Sequence, residues 1–187
     1  MRVIAGKARR LTLKSIPGLD TRPTIDRIKE TLFNILSPYV PGSFFLDLFS
    51  GSGSIGIEAL SRGARLSVFV ENNPKAVKCI NENLAFTRLA DNALVLQKNA
   101  VSAIHELSLK KYKFDIVYMD PPYQAGLEEE TLKALEMSSI IDEDTLIIIE
   151  ADKHNNLDFL ENTNFHIERE KIYKTNKHYF IRLGDTL

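Results

Sequence analysis

At 187 residues, 44% of them hydrophobic, the chain is long enough for one compact domain and little more than an appendage. A single cysteine, Cys79, excludes an internal disulfide. No stretch approaches the roughly 18 apolar residues of a membrane span, and basic residues break up the N-terminus where a signal peptide would be apolar, so a cytoplasmic protein is expected. The net charge of −1 hides an asymmetry, because residues 1–29 hold eight basic residues against Asp20 and Asp26 while the remainder is acidic. A basic arm on an acidic body points to a polyanion met by one face.

Residues 2–13 read as a short hairpin, with Arg2 to Ala5 and Leu11 to Leu13 flanking a basic turn. Pro17-Gly18 signals a turn, and Arg22-Pro23-Thr24 is extended chain. A helix starts near Thr24 or Ile25, capped by Thr24, with Ile28, Leu32, Ile35 and Leu36 as its apolar stripe. Pro38 stops it.

From Phe44 onward strand and helix alternate, the pattern of a parallel sheet covered on both faces. Strands are expected at Phe44 to Phe49, Leu66 to Val70, Ala93 to Gln97, Phe114 to Met119 and Thr145 to Glu150. Helices fall at Ser54 to Arg62, from Pro74 through Leu84, after Ala100, and from about Leu127 to Met137. Phe165 to Tyr173 and His178 to Leu183 alternate as an antiparallel hairpin that closes the sheet. The expected architecture is a Rossmann-like α/β domain with a seven-stranded, mostly parallel sheet. Residues 1–23 form its basic extension and 24–187 its core.

The loop Asp47-Leu48-Phe49-Ser50-Gly51-Ser52-Gly53-Ser54-Ile55-Gly56 matches G-x-G-x-x-G, and Glu71 follows Gly51 by 20 residues at the end of the next strand. Taken alone, this fingerprint admits NAD. Asp47 argues against it, because a carboxylate beside a pyrophosphate repels it. S-adenosylmethionine carries a sulfonium and an ammonium instead, and both favour a nearby acid. In this reading Gly51 and Gly53 let the backbone close on the amino-acid part, and Glu71 accepts from the ribose hydroxyls. Asn99, beside Ala100, has the donor and acceptor to read an adenine edge, or else caps the helix that starts there. Phe49 and Asn72 complete the expected cofactor set.

Val117-Tyr118-Met119-Asp120-Pro121-Pro122-Tyr123 delivers a carboxylate to the carboxyl end of a strand, where open α/β sheets bind ligands. Pro121 and Pro122 cannot extend the ladder, and their stiff turn leaves carbonyl oxygens free. Tyr123 offers a ring face for stacking. Two acceptors and a plate suit a planar heterocycle with an exocyclic amine. No Cys/His set has metal-ligand spacing, so no metal is expected. His105, His154, His166 and His178 are scattered and read as surface or satisfied residues.

The glycine loop, Glu71 and Asp-Pro-Pro-Tyr together resemble class I S-adenosylmethionine-dependent methyltransferases that act on exocyclic amines. The opening Arg2-Val3-Ile4-Ala5-Gly6-Lys7-Ala8-Arg9-Arg10, the run from Arg22-Pro23-Thr24-Ile25-Asp26-Arg27 to Leu36, and Glu58-Ala59-Leu60-Ser61-Arg62-Gly63-Ala64 narrow this further. They resemble the bacterial RsmD family, the 16S ribosomal RNA guanine-N2 methyltransferases, over nearly the whole chain. Tyr123 stands where many relatives have Phe, and both rings stack.

The resemblance implies methyl transfer from S-adenosylmethionine to the N2 amine of a guanine in 16S RNA, naked or within the small ribosomal subunit, by a monomer. Asp120 and the Pro121 carbonyl would hold the amine, and Tyr123 would hold the unstacked base. Arg2, Lys7, Arg9, Arg10, Arg22 and Arg27 are the expected phosphate contacts. The competing readings are a DNA adenine-N6 or protein glutamine methyltransferase, a non-catalytic RNA-binding assembly factor, and an NAD-dependent oxidoreductase.

Overall fold

The computed structural model describes residues 1–15, 23–122 and 126–184, the side chains of residues 23–25 excepted. Arg22, Tyr123, the Pro17-Gly18 turn and the side chain proposed to cap the first helix lie outside the described residues.

The elements follow in the order α1 (Pro23–Ile35), β1 (Phe44–Asp47), α2 (Ser54–Ser61), β2 (Leu66–Val70), α3 (Pro74–Thr87), β3 (Ala93–Leu96), α4 (Ala100–Leu109), β4 (Ile116–Met119), α5 (Leu127–Glu136), β5 (Leu146–Asp152), β6 (Phe165–Ile172) and β7 (Asn176–Leu183). The seven strands lie in the order β3-β2-β1-β4-β5-β7-β6. The first five pair parallel, and β7 pairs antiparallel with both β5 and β6. β1 sits beside β2 on one side and β4 on the other, so the chain reverses its direction of winding between β1 and β4. That reversal opens a crevice at the carboxyl ends of these two strands.

The two-residue period of the strands divides the core. Leu46, Val68, Val117, Ile147 and Ile149 face α4 and α5. Phe45, Phe69, Ile116, Ile148 and Phe180 face α1, α2 and α3, and Val3, Ala8 and Leu13 of the arm belong to this second cluster. No helix among the described residues is long and apolar enough to cross a membrane.

Several boundaries differ from expectation, among them β1, which ends at Asp47 rather than Phe49, and β7, which begins at Asn176 rather than His178. α1 begins at Pro23, where proline's fixed φ suits a first helical position and its missing N–H costs nothing. β4 begins at Ile116 rather than Phe114, and β5 runs on to Asp152 because β7 pairs with it to its end.

The arm is a hairpin with a single ladder bridge, Arg2 to Thr12. Val3 N donates across it to the Leu11 carbonyl and Leu13 N to the Met1 carbonyl, each at 2.9 Å, and other backbone groups of the arm bond to α2. Lys7 N donates to the Ser61 carbonyl at 2.8 Å, and Ile4 N and Ala5 N donate to the Glu58 carboxylate at 2.8 and 3.0 Å. Gly6, at φ +82°, lies so close to α2 that a Cβ there would fall 1.8 Å from the Ser61 carbonyl oxygen. The arm is therefore docked on α2, the helix that the glycine loop leads into.

Candidate active site

A cleft of about 270 Å³ lies at the β1/β4 reversal. Its walls are built by sheet register. Asp47 stands opposite Tyr118, and Met119 opposite Ile149, so Asp120 and Glu150 follow as neighbours on adjacent strands. Glu150 stands opposite His178. Asp47, Tyr118, Asp120, Glu150 and His178 all line the cleft, which faces α1.

The loop after β1 makes the floor. Gly53 adopts φ +80°, a left-handed conformation that glycine enters without steric penalty. Gly56 has no room for a side chain, since a Cβ would sit 2.4 Å from the Phe69 ring, and its absence lets α2 pack onto β2. Phe49 and Gly51 also line the cleft. Glu71 lies behind it. One carboxylate oxygen accepts from Gly51 N at 2.9 Å and the other from Asn73 N at 2.8 Å, so this acid ties the glycine loop to the end of β2.

Asp47 is 1% exposed, and neither of its carboxylate oxygens has a hydrogen-bond partner among the described residues. Burial pushes its pKa up to about 7; the nearby N–H groups of Gly56 and Phe49 oppose this without reaching hydrogen-bond geometry, and the charge of Glu71 adds to it. An unpartnered buried carboxylate on a cleft wall is costly unless a cation meets it. The donor set fits the sulfonium and ammonium of S-adenosylmethionine, and it does not fit a pyrophosphate.

Asp120 opens to solvent within the cleft but is ringed by protein. Its proton affinity is raised by those surroundings first, then by the charges of Glu150, Asp47 and Glu128. Glu150 behaves oppositely. Burial disfavours its charge, but His178, Tyr118 and Asn176 donate to it and hold its carboxyl below the ordinary range. Tyr118 Oη donates to Oε2 at 2.6 Å, His178 Nε2 lies 3.1 Å from the same oxygen, and Asn176 Nδ2 donates to Oε1.

Asp47, Phe49, Gly51 and Asp120 are thus brought into one cleft, with Glu71 joined through Gly51. Pro121 is buried beside them and Pro122 is exposed. Gly53, Asn72, Asn99 and Ala100 are not on the wall of this cleft. Asn99 caps α4, its Oδ1 accepting from Ser102 N at 2.8 Å, so that acceptor is occupied. Asn73, rather than Asn72, caps α3. Lys7, Arg9, Arg10 and Arg27 are exposed, and Arg2 pairs with Asp26 at 3.4 Å.

Sequence reasoning missed Lys29, Tyr118, Glu150 and His178 on the cleft wall. Lys29 sits on the buried face of α1, four residues before Phe33, with its side chain 1% exposed. Its position in the apolar stripe was the available signal. Glu150 closes the apolar run Leu146–Ile149, and a charge at that point marks the carboxyl edge of the sheet.

A family model described as Conserved hypothetical protein 95 matches residues 1–182. The chain is 39% identical over 174 residues to the ribosomal RNA small subunit methyltransferase D of Escherichia coli K12, covering 92% of this chain and 84% of the relative. It is 36% identical over 165 residues to the protein of that name in Haemophilus influenzae, covering 87% and 84%. The solved structure of yhhF from Escherichia coli superposes with a TM-score of 0.82 at 35% identity, covering 100% of this chain and 99% of that one.

Proposed function

The chain belongs to the RsmD family, whose model is described as Conserved hypothetical protein 95, and on that premise we propose that it methylates the exocyclic N2 amine of a guanine in 16S ribosomal RNA. S-adenosylmethionine supplies an electrophilic methyl group on a sulfonium when bound. The observation that carries this reading is two acids lining one cleft: Asp47, buried and without a hydrogen-bond partner among the described residues, and Asp120, reachable from solvent.

Each acid has its own work. Asp47 meets the cationic end of the cofactor, and Glu71 and Gly51 shape the loop that receives it. An exocyclic amine is a weak nucleophile because its lone pair is delocalised into the ring. Asp120 and the Pro121 carbonyl accept from its N–H groups, aim the nitrogen and stabilise the charge that develops there. Tyr123 stacks on the base once it has left its helix. Arg2, Lys7, Arg9, Arg10, Arg22 and Arg27 grip phosphates, the first four of them on the arm docked on α2. A monomer meeting its RNA in the small ribosomal subunit completes the reading.

A labelled methyl-transfer assay on unmodified small subunits, deproteinised RNA and duplex DNA, followed by nucleoside analysis, tests it. N2-methylguanine in 16S RNA is the expected product, and N6-methyladenine in DNA would replace the reading. Asp120→Ala should abolish transfer while S-adenosylmethionine still binds by calorimetry.

A further inference from the structure

The carboxyl edge of the sheet carries a row of polar side chains on its α1 face that the proposed reaction does not fully use. From β1 to β7 it runs Asp47, Tyr118 with Asp120, Glu150 and His178. Glu150 is the one member held from three sides, by Tyr118, His178 and Asn176. His178 is itself fixed, since its Nδ1 lies 3.2 Å from the Tyr173 hydroxyl and the ring is wholly buried. Yet the Glu150 side chain is 18% exposed, toward the cleft. A carboxylate so thoroughly supplied with donors stays ionised and cannot turn away.

We propose that Glu150 is a positioning residue, a fixed anion beside Asp120 that keeps the Asp120 carboxylate competent to take the proton shed by the methylated amine. This rests on the functional reading above. As the nitrogen's lone pair forms the N–C bond, the donor's S–C bond breaks with its electrons going to sulfur, and the surplus proton on nitrogen passes to an Asp120 oxygen. An isolated aspartate is a poor acceptor at neutral pH. A neighbouring like charge raises its basicity, and the clamp ensures that Glu150 is not the group that yields. The other groups facing the same space are Asp47 of β1, Glu128 of α5, Lys29 of α1, Tyr118 of β4 and His178 of β7. Glu150 contributes a larger charge effect on Asp120 than Asp47 or Glu128.

The test is the pH dependence of methyl transfer to 16S RNA by the full chain. With Glu150→Gln, the acid limb of kcat/KM should move to lower pH and the plateau kcat should fall about tenfold, with KM for RNA unchanged. Glu150→Asp, which keeps the charge, should leave the acid limb near that of the wild type. An acid limb unmoved in Glu150→Gln overturns the proposal. Should that variant fail to fold, a carboxyl-carbon NMR titration of the wild type decides, with Asp120 assigned through Asp120→Asn. Asp120 titrating above the usual aspartate range is the expected result, and titration within that range overturns the proposal. Absence of methyl transfer by the wild type would sink the functional reading, while the NMR titration would still show whether Asp120 has the basicity proposed.

Discussion

The side-chain amide of Asn83 holds the backbone of Lys14 at both ends: its Oδ1 accepts from Lys14 N at 2.8 Å and its Nδ2 donates to the Lys14 carbonyl at 3.1 Å. The same Nδ2 lies 2.9 Å from the Ser52 carbonyl in the glycine loop. One buried residue of α3 therefore joins the far end of the basic arm to the glycine loop. Asn83→Ala strips these bonds and leaves partly buried backbone groups unpaired, which should cost about 1–3 kcal/mol. Urea unfolding would show it as a lower midpoint with an unchanged slope. Asn81→Ala, on the exposed face of the same helix, is the control and should stay within about 0.5 kcal/mol of the wild type.

Asp47 carries a pH signature whose sign is opposite to that of a salt-bridged acid. Burial pushes its pKa up to about 7 in the folded protein, from an ordinary aspartate value of 3.8. Between those values the folded state keeps a proton that the unfolded chain releases, so this group's contribution to stability falls as pH rises and levels off above about 7. Asp47→Asn should remove that slope and be more stable than the wild type at pH 8, by up to ~4 kcal/mol. Its affinity for S-adenosylhomocysteine should fall at the same time. In the wild type that affinity should rise with pH up to about 7, because the ammonium pairs only with the ionised form. Thermal unfolding and calorimetry across pH 4–8 would check both, and identical slopes in the two proteins would show that Asp47 is not the group responsible.

What the sequence made legible follows the places where pattern and position agree. Asp47 and Asp120 each end an apolar strand just before a glycine or proline turn, so both were placed at the carboxyl edge from spacing alone. Glu58 and Lys29 were passed over for the opposite reason, although Lys29 stands in the apolar stripe of α1. A charge on an amphipathic helix reads as solvent-facing, and only the arm docked against α2 and α1 turns these two inward. The arm itself read as a hairpin because its apolar residues flank a turn. That hairpin forms, but Ile4, Ala5 and Lys7 also donate to Glu58 and Ser61, with Ile4 and Glu58 54 residues apart in the chain, and no local pattern announces such a partner. Asn99 illustrates a shared signal: an Asn before a helix is expected both as a cap and as an adenine contact, and its acceptor oxygen serves as the cap.

The arm's charges yield a prediction about salt. Arg9 and Arg10 are exposed at the turn, and the ion pairs found for the arm among the described residues are those of Arg2 with Asp26 and Lys14 with Glu82. Each phosphate contact releases counterions and steepens the fall of affinity with salt by ~0.7–0.9 in a log–log plot. Arg9→Ala with Arg10→Ala should therefore lower the slope for 16S RNA by about 1.5. Filter binding from about 50 to 300 mM salt would measure it. A slope equal to the wild type's would place the phosphate contacts elsewhere.

Glu58 should behave as the keystone of the arm. It is wholly buried, and its carboxylate accepts from Ile4 N and Ala5 N and from Arg62 Nε at 2.7 Å, with Lys29 Nζ at 3.6 Å. Lys29 Nζ also donates to the Arg2 carbonyl at 2.7 Å. Burial lowers the Lys29 pKa, and Glu58 is the principal charge opposing that. Glu58→Gln leaves a buried ammonium without its counterion, which should destabilise the fold by ~3–5 kcal/mol and expose Arg9 and Arg10 to trypsin sooner. Adding Lys29→Met removes the stranded charge, so the double variant should recover part of the loss and be more stable than Glu58→Gln alone. Chemical denaturation of the two single variants and the double supplies the cycle. Strictly additive effects would mean that the two residues support the arm independently, and that the ion pair is not what fixes it to α2.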